Sequence, residues 1–196
     1  MTFPTARAFV SIVRVIVQPL SIGIIAALVV RATLLQAYSI PSASMAPTLE
    51  PGDHILVTPF GEVDRGDVVV FRNPGVGPGY FVKRIVATAG DYIEIRGGSV
   101  WINGRRAEEP YLPPGVGTTG RVADLVPDGH VFVMGDHRAD SIDSRAWGFL
   151  PEERIVGRAR LIFWSAGGVE TASAHSRGGE GWVSAPRWRR MLRVIR

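Results

Sequence analysis

A chain of 196 residues is long enough for one domain of ordinary size with an anchor or tail. Hydrophobic residues make up 46% of it, high for a protein bathed in water throughout and low for one that crosses a membrane many times. A net charge of +4 excludes the broad basic surface of a general nucleic-acid binder, and the absence of cysteine excludes disulfides, thiolate metal sites and cysteine nucleophiles.

Residues Met1–Arg14 carry Arg7 and Arg14 among apolar neighbours, and Val15–Leu35 is apolar except for Gln18, Ser21, Arg31 and Thr33. As helix that run covers roughly 31 Å at about 1.5 Å per residue, close to the thickness of a bilayer core. Its part Gly23–Val30 is too uniformly apolar for the one-sided stripe of a water-facing helix. Gln18-Pro19 offers a second helix start, which leaves a shorter span with Arg31 snorkelling to the far interface. Arg7, Arg14 and the free amine precede the run, so the positive-inside rule places the N-terminus in the cytoplasm. No small-x-small triplet follows the run closely, so an uncleaved anchor over residues 1–35 is expected rather than a removed leader.

Directly after the run comes Ser39-Ile40-Pro41-Ser42-Ala43-Ser44-Met45-Ala46-Pro47-Thr48-Leu49. Proline fixes φ and biases its predecessor toward extended geometry, so this stretch should be rigid and non-helical. Rigidity of that kind suits a nucleophile beside which a peptide aligns. A polar loop joining an anchor to a domain is the plainer reading, and it stands only if partner residues are missing downstream.

Beyond Leu49 the periodicity becomes that of strands. Asp53–Val57 follows Pro51-Gly52, Asp67–Phe71 follows Arg65-Gly66, and Tyr80–Val86 is a third β-branched and aromatic run. Asp91–Gly104 reads as a hairpin turning at Gly97-Gly98, and Glu108–Gly129 as a long surface loop or extension. Val131–Met134 and Ala159–Trp164 give two more strands. No long amphipathic helix interrupts them, so residues 36–166 read as a mainly β domain with a barrel-like or coiled sheet. Residues 167–196 begin as a flexible Gly/Ser/Ala excursion and end in the basic segment Arg187-Trp188-Arg189-Arg190-Met191-Leu192-Arg193. That end suits either an interfacial element on an anionic bilayer or a tail packed on its own domain.

A serine hydroxyl is a poor nucleophile near neutral pH and needs an adjacent base. Of His54, His130, His137 and His175, only His137, within Gly135-Asp136-His137-Arg138, suggests a Ser/His/Asp triad. Adjacent residues of an extended segment point opposite ways, so Asp136 is badly placed to orient it. Lys83 is the better base, being the only lysine among 22 basic residues. Arginine cannot give up its proton near neutrality, whereas a buried lysine can. By strand alternation Lys83 shares a face with Phe81 and Ile85, while Arg84 points to water or an ion pair. Further on, Ser141 could present a hydroxyl to a nearby lysine, and Asp143 and Arg145 read as a loop-stabilising ion pair.

These segments stand in a particular order: the serine string, Gly52-Asp53, Arg65-Gly66-Asp67-Val68-Val69, Lys83-Arg84, Gly90-Asp91, and the Gly-Asp-x-Arg-x-x-Ser-x-Asp-Ser-Arg string Gly135–Arg145. Together they resemble the type I signal peptidases over roughly Arg31–Ser165. The resemblance implies the mainly β signal peptidase fold of coiled antiparallel sheets with one N-terminal transmembrane helix. It also implies a single-pass protein of the cytoplasmic membrane whose catalytic domain lies on the extracytoplasmic side. That domain would cut signal peptides from exported preproteins after a small-x-small motif, without a cofactor or metal. The partners implied are preprotein signal peptides and the phospholipid bilayer, with no nucleic acid.

By the same resemblance Ser44 is the nucleophile and Lys83 the general base, and Ser42 joins the Ser44 N–H in an oxyanion hole. Ser141 orients the lysine, Asp143 and Arg145 hold the site together, and Ile40, Met45, Leu49, Phe81 and Val82 line the substrate pockets. The chain departs from the family pattern at Ala87-Thr88-Ala89, where Gly-x-Pro is usual before Gly90-Asp91, and at His137, where asparagine is commoner. Two other readings stay open. One is a conjugation or pilin-type processing peptidase of the same Ser/Lys class; the other is a non-enzymatic, membrane-tethered β domain. Ala172-Ser173-Ala174 is also a small-x-small triplet, so self-cleavage there is a further option beside a plain linker.

Overall fold

The computed structural model describes residues 13–25, 35–59, 61–75, 77–167 and 186–195. The chain divides into two units, Met1–Gln36 and Ala37–Arg196. In the first, a wide π-type turn over Val13–Val17 leads into helix over 18–25. Pro19 has no N–H to give and its ring presses on the carbonyl four residues back, which opens the turn that enters it. The side chains of Val15, Ile16, Leu20, Ile22 and Ile25 are exposed. No helix among the described residues is long and apolar enough to cross a membrane. Residues 26–34 of the predicted span lie outside the described residues, as does Ala172-Ser173-Ala174.

The second unit is built from β1 (Gln36–Ser39), β2 (Asp53–Thr58), β3 (Val68–Arg72), β4 (Tyr80–Thr88), β5 (Tyr92–Arg96) and β6 (Ser99–Ile102). These are followed by β7 (Arg105–Arg106), β8 (Val122–Leu125), β9 (His130–Met134), β10 (Leu150–Pro151), β11 (Ile155–Ser165) and β12 (Arg193–Val194). One short helix, α1 (Ser144–Trp147), interrupts them. The larger sheet runs β1-β2-β11-β3-β4-β9-β10 with β12 on β11, and the smaller runs β7-β6-β5-β8. From β2 to β12 the strand pairings are antiparallel. The predicted hairpin forms as β5 and β6, and its turn needs Gly97 and Gly98, whose φ values of +58° and +74° suit glycine.

Two expectations need correction. The predicted surface loop 108–129 contains β8, which pairs with β5 from Val122 to Leu125. Only Val122 is half-buried there, so this strand is held by backbone bonds and carries no apolar alternation to reveal it. The serine stretch is a series of tight turns rather than an extended segment, with Ala46 N–H donating to Ala43 and Leu49 N–H to Met45. Those turns drive Met45 and Leu49 inward to join Ile40, Ile55, Val57, Val68, Val70 and Ile162 in one core cluster. A second cluster fills the space between β4, β9 and the small sheet, and a third lies on the other face of β3 and β4 around Phe71 and Ile85.

The basic C-terminal segment packs on its own domain through half of its arginines. Arg187 and Arg190 pair with Glu50 and Asp53, and Ser165 Oγ donates to the same Asp53. Trp188, Leu192 and Val194 remain exposed, with Arg189 and Arg193 between them.

Candidate active site

Strand pairing fixes Lys83. Val69 of β3 lies opposite it and Phe71 lies opposite Phe81. On its other edge β4 pairs with β9 only from Arg84 onward, opposite Met134. There β9 ends and the chain leaves the sheet at Gly135, so Tyr80–Lys83 has no strand partner on that side among the described residues. The serine turn closes on this gap. His137 N–H donates to the Ser44 carbonyl at 3.1 Å, and a Cβ on Gly135 would overlap both that carbonyl and the Ser141 hydroxyl. Only glycine lets the two segments meet so closely.

Lys83 Nζ thereby lies 2.6 Å from Ser44 Oγ, and Ser42 Oγ lies 3.3 Å from the same atom. No hydrogen bond among the described residues occupies the Ser44 N–H. Lys83 is only 3% exposed. Burial pulls its pKa down from 10.5 to about 8, against an upward pull from Asp143 and Asp136 and with slight help from Arg145. Neither carboxylate reaches the amine as an ion pair, because each is taken. Asp136 is bound by Arg84 at 2.7 Å with both side chains buried. Asp143 accepts from Arg145 at 2.8 Å and from the Gly135 N–H at 3.0 Å. Burial alone would raise the Asp143 pKa, yet these bonds hold it below the ordinary carboxylate value.

Two sequence expectations meet a different geometry. Ser141 makes no hydrogen bond to Lys83: its Oγ is buried against Gly135 and turned toward the Asp143 carboxylate, whose pKa it helps to lower. Leu49 is 0% exposed and belongs to the core, where no substrate reaches it without displacing Met45 or Ile55. His137 is exposed, and Asp136 turns inward to Arg84 rather than toward it. The departure at Ala87-Thr88-Ala89 leaves an ordered turn, in which Asp91 accepts from Thr88 N–H at 2.9 Å and pairs with Arg65 at 2.7 Å.

A cleft of about 320 Å³ opens beside the pair. Ile40, Met45, Phe81 and Val82 line it, together with Tyr38, Val70 and Tyr80. Tyr38 and Tyr80 meet edge to face at 5.2 Å. Tyr38 was legible as a lining residue, since in extended backbone it shares a face with Ile40. Glu109 and Tyr111 were not. Tyr111 lies under the Arg84 guanidinium at 3.9 Å, and Glu109 binds Arg138, whose Nε donates to the Gly135 carbonyl at 3.1 Å. Nothing in a proline-rich loop 29 residues upstream of Arg138 announces that contact.

A serine hydroxyl against a desolvated amine, next to an apolar cleft, can perform acyl transfer. A model of the family described as "Signal peptidase, peptidase S26" matches residues 12–164. The chain is 39% identical to the "Probable signal peptidase I-1" of Synechocystis sp., over 75% of this chain and 80% of that protein. It is 36% identical to the signal peptidase I of Bacillus amyloliquefaciens, over 73% and 81%. A solved signal peptidase I structure from Enterococcus faecalis V583 is 27% identical and covers 50% of this chain and 97% of its own, with a TM-score of 0.44. The chain therefore belongs to the signal peptidase family, the S26 peptidases, and is a hydrolase of that family.

Proposed function

We propose that this protein removes signal peptides from exported preproteins after a small-x-small motif, with Ser44 as nucleophile and Lys83 as general base. The observation that carries the reading is the 2.6 Å approach of Lys83 Nζ to Ser44 Oγ at a place where burial favours the neutral amine. The lone pair of that amine takes the hydroxyl proton as Ser44 Oγ attacks the scissile carbonyl carbon. The Ser44 N–H and the Ser42 hydroxyl donate to the developing oxyanion. When the C–N bond breaks, the ammonium returns its proton to the leaving amine of the mature chain. Water then attacks the acyl carbon while giving a proton to Lys83, and as the ester bond to Ser44 breaks the ammonium returns that proton to Ser44 Oγ, which frees the carboxyl end of the signal peptide. Asp143 and Arg145 brace the loop that carries Gly135. Ser141 packs against that glycine and acts on the lysine only indirectly.

The substrate lies extended along the open edge of Tyr80–Lys83, where main-chain bonds replace those β9 does not make. Side chains two apart then enter the cleft between Ile40, Met45, Phe81 and Val82. The bilayer is the second partner. Residues 15–35 form the single anchor in the cytoplasmic membrane, and residues 36–166 work on its extracytoplasmic side. The exposed apolar side chains between Val15 and Ile25 support the anchor. Trp188, Leu192 and Arg193, left free of the Glu50/Asp53 clamp, support a resting contact with anionic lipid.

The test is cleavage of a purified preprotein by the full chain in detergent. Cleavage after a small-x-small motif is expected, with loss in Ser44→Ala and in a substrate carrying leucine at both small positions. Undiminished cutting by Ser44→Ala, or of the leucine substrate, would contradict the reading.

A further inference from the structure

Behind Phe81, on the face of β4 away from the cleft core, lies a second cavity of about 350 Å³. Its walls are aromatic and fixed. Phe81 and Trp147 both pack on buried Phe71 at 6.1 Å, and Phe149 packs on buried Phe132 at 6.0 Å. Ile142, from the polar loop that carries Ser141 and Asp143, closes one side while remaining 74% exposed. Asn73 and Phe81 border this cavity and the reaction cleft alike. Arg154 stands at the rim, its guanidinium donating to the Asn73 carbonyl at 2.7 Å.

The register places the two cavities on opposite sides of one strand edge. Val70 and Val82 are register partners and face the cleft with Ile40 and Met45. Phe81, one residue along, pairs with Phe71 and turns to the other face. A chain that adds to this open edge sends successive side chains alternately to the two faces. If the two small residues before the cut enter the cleft, the residue between them meets the aromatic cavity.

We propose that the Phe81–Trp147–Phe149 cavity receives the substrate side chain between the two small residues, and that it selects an apolar side chain of leucine or phenylalanine size. This rests on the cleavage reading above and deepens it. An apolar cavity discriminates by contact with each added carbon, so the selectivity is graded rather than absolute.

The test is kcat/KM of the full chain in detergent on preprotein substrates with alanine, leucine or phenylalanine at that middle position, all else fixed. The expected result is a preference of about 10-fold for the larger residues over alanine. Trp147→Ala should bring the ratio close to one. Ile142→Ser, at an exposed position that folding does not depend on, should reduce it in the same direction, and it carries the test if Trp147→Ala fails to fold. A flat ratio in the parent, an unchanged ratio in Ile142→Ser, or a preference that follows the residue after the cut would overturn the proposal while leaving cleavage intact. Absence of cleavage on every substrate would instead sink the cleavage reading and this proposal with it.

Discussion

Lys83 and Arg84 are neighbours on one strand, both buried, and the fold treats their charges in opposite ways. Arg84 is fully answered: Asp136 binds it, the Gly66 carbonyl accepts from it at 2.7 Å, and Tyr111 lies beneath its plane. Among the described residues Lys83 bonds only to the Ser44 hydroxyl, and Asp143 and Asp136, the carboxylates that act on it most, are held by arginines. Burial of a cation with its counter-ion makes a brace; burial without one makes a base. The difference depends on residue type as well as place, because a guanidinium keeps its proton under conditions in which an amine releases it. The contrast can be broken by exchanging the chemistry at either position.

The largest effect is expected from Lys83→Arg. The variant keeps charge and approximate length but cannot accept a proton, so kcat/KM should fall by about 10²–10⁴-fold in a preprotein assay, with an unaltered circular dichroism spectrum. Next is Arg84→Met, which leaves Asp136 buried and unanswered. Folding stability should drop by about 3–5 kcal/mol in denaturant titration. Lys83→Met should do the reverse. With the folded pKa near 8 and the ordinary value at 10.5, the unfolded chain binds the proton more tightly. Parent stability therefore rises as pH climbs from about 8 to 10.5, and below that window the buried ammonium costs on the order of 3 kcal/mol. Removing it should raise the melting temperature at pH 7, and the gain should vanish above pH 10.5. An unchanged melting temperature would argue that Lys83 is solvated.

That the fold was partly legible has a physical basis. β3, β4 and β9 carry dense β-branched runs buried on both faces, and their position and period were readable. β8, β10 and β12 are short or exposed, held by pairing with a neighbour rather than by their own apolar pattern. At the site, the isolation of one lysine among 22 basic residues pointed to Lys83, and proline and serine spacing to the stretch that holds Ser42 and Ser44, while the resemblance singled out Ser44. The burial of Leu49 and the turn of Ser141 toward Gly135 depend on tertiary packing, which spacing does not encode. The Glu109 and Tyr111 contacts likewise join segments far apart in the chain.

The smallest effects should sharpen the comparison by tuning it. Cleavage should rise with pH as Lys83 loses its proton, with a midpoint near 8. The Asp143 charge raises that pKa and the Arg145 charge lowers it. Asp143→Asn should therefore move the rising limb to lower pH, and Arg145→Gln to higher pH, in kcat/KM profiles of the folded variants. Shifts in the opposite directions would mean that another group controls the limb.

The central claim is that burial lets Lys83 lose its proton near pH 8 rather than near 10.5, and its singularity makes this directly observable. Protein grown on carbon-13 lysine carries a single labelled side chain, so one Cε resonance reports one titration. The resonance of the full chain in detergent micelles should titrate with a midpoint near 8. A midpoint close to the ordinary 10.5 in the folded protein would contradict the account.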